Sequence, residues 1–184
     1  MNALILTLLA AFLLQAAPVA RKTHIYLLQD SPHQQWCSFA DRKAWQAWLN
    51  DEKNYSLANA IVDLVDGGIS VIKLQQESES QDSAIIDTYF LRGDKIQRLS
   101  RRMNVLPGDT TETQIFLIQD GKPKLQSTVI RRLSNGAPLK RSQSMMPQTE
   151  IITSLNGFPF ASLLDAEHVK ELQAKKQLCL PAKP

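Results

Sequence analysis

The chain has 184 residues, 43% of them hydrophobic, with 21 basic and 18 acidic side chains and a formal charge of +3. That aliphatic and aromatic content excludes a disordered chain, and the length suits one domain with a core of its own. The total charge says little, but its distribution is uneven: residues 87–141 hold 11 basic and 5 acidic side chains, whereas residues 21–86 hold 6 and 9.

The N-terminus opens the reading in chain order. Ala3 to Ala20 contains no charge and gives way to Arg21-Lys22. The small residues Ala16, Ala17 and Ala20 at its end predict a secretory signal over residues 1–20, cleaved after Ala20. The flanks would also suit an uncleaved anchor, since the segment before the apolar run carries no Lys or Arg and two basic residues follow it. The polar Thr7 and Gln15 and the Ala-rich end favour the signal. The expected protein is therefore exported, secreted or periplasmic, with 164 residues from Arg21 to Pro184 forming a single α+β domain.

A short alternating stretch, His24 to Leu28, precedes the turn-like Asp30-Ser31-Pro32. Cys37 and Cys179 are the only cysteines, and an even pair in an oxidising compartment predicts one disulfide. A closed loop of this length stabilises by about 5 kcal/mol at most in the chain-entropy account. Trp36-Cys37 begins as a Trp-Cys-x-x-Cys redox motif does, but Ala40 stands where the second cysteine belongs. Ser38 and Asp41 predict the cap of a helix running to about Asn50, with Trp45, Trp48 and Leu49 on one face. Leu57, Ala60, Ile61, Leu64 and Val65 keep the same period and predict a second helix after Ser56, stopped by Gly67-Gly68.

The texture then turns to β. Strands are predicted over Ile69–Gln75, Ser83–Leu91, Lys95–Val105, Thr113–Ile118 and Lys124–Leu133, with Gly93-Asp94 and Asp120-Gly121 as hairpin turns. In the last strand Leu125, Val129 and Leu133 are read as one apolar face, with Ile130 as an exception on the wet side. Residues 134–150 read as a flexible loop, rich in Ser, Pro, Gly and Gln. Phe158-Pro159-Phe160 and Leu163-Leu164 form an apolar knot suited to docking on a sheet, and Asp165 caps a last helix to about Gln177. The expected fold is two N-terminal helices, a five-stranded antiparallel meander and a C-terminal helix packed on one sheet face.

No residue pattern points to catalysis. His24, His33 and His168 lack the spacing of a metal site, Gly-x-Ser-x-Gly is absent, and the carboxylate pairs Asp51-Glu52 and Asp63-Asp66 suit solvated helix ends. No cofactor or metal is expected. The basic block is the remaining signal, and within it Arg98, Arg101, Arg131 and Arg132 are the candidate anion-binding residues. Guanidinium groups make paired contacts to phosphate, sulfate or carboxylate. Strand alternation sets a condition on this set: Arg101 and Arg131 are expected to face opposite to Arg98 and Arg132. A solvated face that discourages edge pairing is the plainer explanation.

The function expected from these residues is a non-enzymatic binding or carrier domain. Its basic sheet face would take an anionic ligand, a lipid head group or an acidic protein. Nucleic acid is not expected, because no aromatic residues punctuate the basic positions. The alternatives are a structural or assembly factor of the cell envelope and a small hydrolase without a visible motif.

Overall fold

The computed structural model describes residues 22–33, 35–51, 54–140, 143–147 and 149–181. The predicted signal over residues 1–20 and its cleavage after Ala20 lie outside the described residues. One nine-stranded antiparallel sheet dominates the fold. Its strands are β1 (Lys22–Asp30), β2 (Gln35–Phe39), β3 (Ala58–Val65), β4 (Gly68–Glu77), β5 (Ser83–Arg92), β6 (Lys95–Val105), β7 (Thr110–Gln119), β8 (Lys122–Arg132) and β9 (Gln177–Pro181). They lie in the order β8-β7-β6-β5-β4-β3-β1-β2-β9. Two helices, α1 (Arg42–Leu49) and α2 (Ala166–Lys175), complete the architecture with two 3-10 turns, Leu155–Gly157 and Ala161–Leu164.

This corrects the expected fold of two N-terminal helices and a five-stranded meander. The predicted second helix is β3. Its apolar residues satisfy two periods at once: Ala58, Ala60, Val62 and Leu64 are buried on one face, while Asn59, Ile61 and Asp63 point to the other. Asp66 and Gly67 both have positive φ, +50° and +82°, and form the tight hairpin turn into β4. Asp-Gly is a strong hairpin signal, and here it joins two strands rather than ending a helix. The five predicted strands occur near their expected bounds as β4–β8, within a larger sheet.

The first helix begins one turn later than Ser38, because residues 35–39 pair with β1 and β9. Asp41 caps it, its Oδ1 accepting from Ala44 N–H at 2.8 Å. Trp45 and Trp48 are half-buried where α1 packs on β1 and β2. The last helix ends at Lys175, and the following residues form the edge strand β9 instead of a helical tail.

One face of the sheet is covered along most of its width. Residues 149–164 and α2 cross it and bury Phe158, Phe160, Leu163 and Leu172 against Ile25, Leu27, Trp36, Ala60, Val62, Ile72, Tyr89 and Leu99. Three aromatic contacts fix the crossing: Phe158 meets Tyr89 edge-on at 4.9 Å, Phe160 meets Trp36 at 4.8 Å, and the two phenyl rings stack at 5.3 Å. On the other face α1 shelters a small cluster of Leu28, Cys37 and Phe39 at the β1–β2 end. Beyond it, no described residue covers the second face of β4 to β8.

Cys37 and Cys179 form a disulfide across directly opposed positions of β2 and β9. It therefore ties two neighbouring strands. Among the described residues no helix is long and apolar enough to cross a membrane.

Candidate anion-binding face

Register decides where each basic residue points, because directly opposed residues of antiparallel neighbours share a face. Asp87 on β5, Arg101 on β6 and Gln114 on β7 are opposed in one row. They point to the covered side. Arg102 belongs to the next row, with Ile86 and Thr113, and points to the uncovered side.

Arg101 is buried at 4% exposure beside Asp87 at 3%. Its Nε donates to Asp87 Oδ1 at 2.8 Å and its Nη2 to Asp87 Oδ2 at 2.7 Å. Its Nη1 reaches the crossing segment, donating to Thr149 Oγ1 at 2.8 Å and to the Thr149 carbonyl at 3.2 Å. Burial opposes the charge on Arg101, but hydrogen bonding and attraction to Asp87 outweigh it and hold the group protonated even more firmly than an ordinary arginine. Tyr89 donates to Asp87 Oδ2 at 3.2 Å, and burial followed by the carboxylate's charge drives its phenol far above its usual range. A hollow of about 220 Å³ adjoins this group. All three guanidinium nitrogens already donate and the charge is paired with Asp87, so the hollow offers no free cation.

Glu112 is a third buried charged residue, fully enclosed on the same face. Its Oε2 accepts from Met145 N–H at 2.6 Å, and its Oε1 accepts from the Ser144 hydroxyl at 2.6 Å and from Gln114 Nε2 at 2.9 Å. The segment read as a loop over residues 134–150 thus meets the covered face at Ser144–Met145 and again at Thr149.

The four candidate arginines do not converge. Arg101 is enclosed as described. Arg132 sits at the end of β8 near the β6–β7 turn, with its Nη1 3.5 Å from Asp109 Oδ2. Arg98 and Arg131 are both on the uncovered face, opposed to Leu117 and Thr111 respectively. The expected pairing of faces is corrected: Arg98 goes with Arg131, and Arg101 with Arg132. A register shift between Ile115 and Phe116 also sends Leu125 and Val129 to opposite faces. Ile130, opposed to Glu112, lies on the covered side rather than the wet one. Arg98 and Arg131 stand six residues apart in β6 register, about 20 Å along the sheet. That exceeds the screening length of about 8 Å at physiological salt.

The uncovered face is nonetheless basic. Its cross-strand rows read Val71–Phe90–Arg98–Leu117–Lys124, then Lys73–Thr88–Ser100–Ile115–Ser127, then Gln75–Ile86–Arg102–Thr113–Val129. Arg98 stacks on Phe90, with its guanidinium carbon 5.5 Å from the ring centre. Within β4–β8 the one carboxylate on this face is Glu77 at the rim, and it accepts from Gln75 Nε2 at 2.7 Å. Asp63 on β3 is occupied by Lys22 Nζ at 2.8 Å and His24 Nδ1 at 2.7 Å. Burial raises its pKa, but the hydrogen bonds from Lys22 and His24 prevail and hold it below the usual carboxylate value. Among the described residues Lys73, Arg98 and Arg102 have no acidic partner.

Lys73 and Arg102 are the residues that the sequence reading did not single out. Lys73 lies in a predicted strand outside the basic block, and Arg102 lies within the block but is not one of the four candidate residues. Among the described residues no cluster of His, Cys, Asp or Glu could hold a metal ion. No family model, curated protein or solved structure matches the chain.

Proposed function

We propose that this protein is an exported, non-enzymatic binding domain that takes an anionic ligand on the uncovered face of its sheet. The observation that supports the reading most strongly is the imbalance of that face. Lys73, Arg98, Arg102, Lys124 and Arg131 project from β4–β8, and the single strand carboxylate among them, Glu77, is at the rim and hydrogen-bonded to Gln75. Exposed Phe90, Leu117 and Val129 lie between the cations, so the face combines charge with apolar surface. The Cys37–Cys179 disulfide agrees with an oxidising compartment.

The test is retention on a polyanion matrix at low and high salt, with wild type beside Arg98→Glu/Arg102→Glu. Wild type is expected to bind at low salt, to elute as salt rises, and to lose retention on charge reversal. Retention unchanged by the reversal would remove the face from the account.

A second reading, an assembly factor that pairs with a partner strand, draws on the outer edge of β8. Residues 137–139 pair with that edge only beside Ile130–Arg132. The rest carries Lys122, Pro123 and Lys124, residues that discourage strand addition, which is why ligand binding on the face is preferred.

A further inference from the structure

Two adjacent rows of the uncovered face line a half-open hollow of about 390 Å³, formed by Lys73, Ile86, Thr88, Ser100, Arg102 and Thr113. Lys73 is directly opposed to Thr88, and Thr88 to Ser100. In the next row Ile86 is opposed to Arg102, and Arg102 to Thr113. Lys73 and Arg102 are therefore two strands and one row apart, roughly 12 Å between Cα atoms from strand spacing and rise. Each side chain extends about half that distance, so an ammonium and a guanidinium can meet over the Thr88 and Ser100 hydroxyls.

The chemistry of this set is specific. Among the described residues, the Thr88, Ser100 and Thr113 hydroxyls make no hydrogen bond to another side chain or to the backbone, and neither cation has a carboxylate partner. Ile86, 8% exposed, closes the floor with apolar surface. The donors are thus a point charge from Lys73, a planar fork from Arg102 and three hydroxyls arranged around one hollow. A carboxylate has only two oxygens to offer such a set. A tetrahedral oxyanion offers three or four, spread in three dimensions.

We infer that this hollow binds a phosphate-type tetrahedral oxyanion, with Lys73 and Arg102 supplying charge and Thr88, Ser100 and Thr113 supplying directional hydrogen bonds. The inference rests on the proposed anion-binding role of the face and gives it a location and a ligand class. The phosphate can belong to a small soluble ester or to a lipid head group. The Phe90–Arg98–Leu117 row beside the hollow gives an apolar neighbour to whatever the phosphate carries.

The experiment is an amide NMR titration of the 21–184 protein, the expected mature chain, with inorganic phosphate, sulfate and acetate, repeated with a short-chain soluble phosphatidic acid. The spectrum also reports whether each variant is folded. Phosphate and sulfate are expected to shift amides at Lys73, Thr88, Ser100, Arg102 and Thr113 with affinities at least about tenfold above acetate, as charge-assisted hydrogen bonds to extra oxygens imply. Lys73→Gln and Arg102→Gln are each expected to weaken phosphate about tenfold or more, and Ser100→Ala or Thr88→Val, which leave charge unchanged, about threefold to tenfold. Tighter binding of the soluble phosphatidic acid than of inorganic phosphate identifies the lipid source; equal binding identifies the free ester.

Acetate binding as tightly as phosphate overturns the tetrahedral oxyanion. Shifts centred on Lys122 and Lys124, with Lys73→Gln and Arg102→Gln unchanged, overturn this hollow while leaving an anion-binding face. No binding of phosphate together with no retention on the polyanion matrix overturns both readings.

Discussion

Arg101 and Arg102 are neighbours in the chain and meet opposite environments. Arg101 is enclosed with Asp87, Tyr89 and Thr149 and has every donor group engaged. Arg102 is exposed on the other face, over a hollow whose hydroxyls, like Arg102 itself, have no partner among the described residues. The same residue type thus serves as an internal fastener on one side and as a free cation on the other. The difference comes from a strand's alternation combined with the cover on one face. The crossing segment and α2 bury what lies under them, and a charge there persists only if it is paired and hydrogen-bonded. Among the described residues nothing covers β4–β8 on the far side, so a cation there is available to a ligand.

The largest expected effect breaks the enclosed side. Arg101→Ala leaves Asp87 as a buried charge without its ion-pair partner and is expected to lower unfolding free energy by about 3–5 kcal/mol, read by chemical denaturation. Replacing both residues with apolar ones of similar size is expected to recover part of that loss, since an unpaired buried charge costs more than a missing pair. If Arg101→Ala unfolded at the wild-type denaturant midpoint, the pair would not be fastening the crossing segment.

The disulfide sharpens the comparison at the far end of the sheet. Cys37→Ala/Cys179→Ala is expected to cost about 2–5 kcal/mol, because the bond constrains the unfolded chain over a sequence separation of 142. The loss should be accompanied by faster amide exchange along β9, whose pairing in the sheet is with β2.

Glu112→Gln is expected to have a smaller effect. The new amide nitrogen cannot accept from Met145 N–H, so a buried contact is lost at about 1–3 kcal/mol. Hydrogen exchange at Met145 should quicken while exchange in β4 and β5 stays slow. Unchanged protection at Met145 would show that Glu112 does not hold the segment.

The smallest effect belongs to Asp63 on the uncovered side. Its pKa lies below the ordinary 3.8 in the folded protein, so its contribution is present above that value and is lost as pH falls through the folded pKa. Asp63→Asn is expected to cost under about 1 kcal/mol near neutral pH, as partly exposed ion pairs do, and the gap to wild type should close only on the acid limb below about pH 4.

How much of this was legible in the sequence follows from what each feature needs. The five strands from Gly68 to Arg132 are bounded by Gly and Asp turns, and those signals are local. The disulfide was legible from two cysteines and the expectation of an oxidising compartment. Residues 57–65 misled because Leu57, Ala60, Ile61, Leu64 and Val65 fit a helical period as well as a strand with apolar residues on both sides. The Asp66-Gly67 turn is the deciding signal, and Gly67-Gly68 serves equally well as the stop of a helix. The binding residues failed for a different reason. Alternation within β6 separates Arg101 from Arg98 and Arg102, but which side is covered depends on residues 149–164, far along the chain. Lys73 joins Arg102 only through β4–β5–β6 register, which no single segment encodes. The shift at Ile115/Phe116 then sets which residues of β8 share a face, and a bulge of that kind has no composition of its own.

The central claim is that the two faces divide stability and binding between them. Arg101→Gln and Arg102→Gln, each measured for unfolding free energy and for phosphate affinity, test it most directly. The account predicts that Arg101→Gln loses about 3–5 kcal/mol of stability while its folded fraction binds phosphate as wild type does. Arg102→Gln should stay within about 0.5 kcal/mol of wild-type stability and bind phosphate about tenfold more weakly or worse. A loss of both properties in one variant, or of neither in Arg102→Gln, would contradict the division.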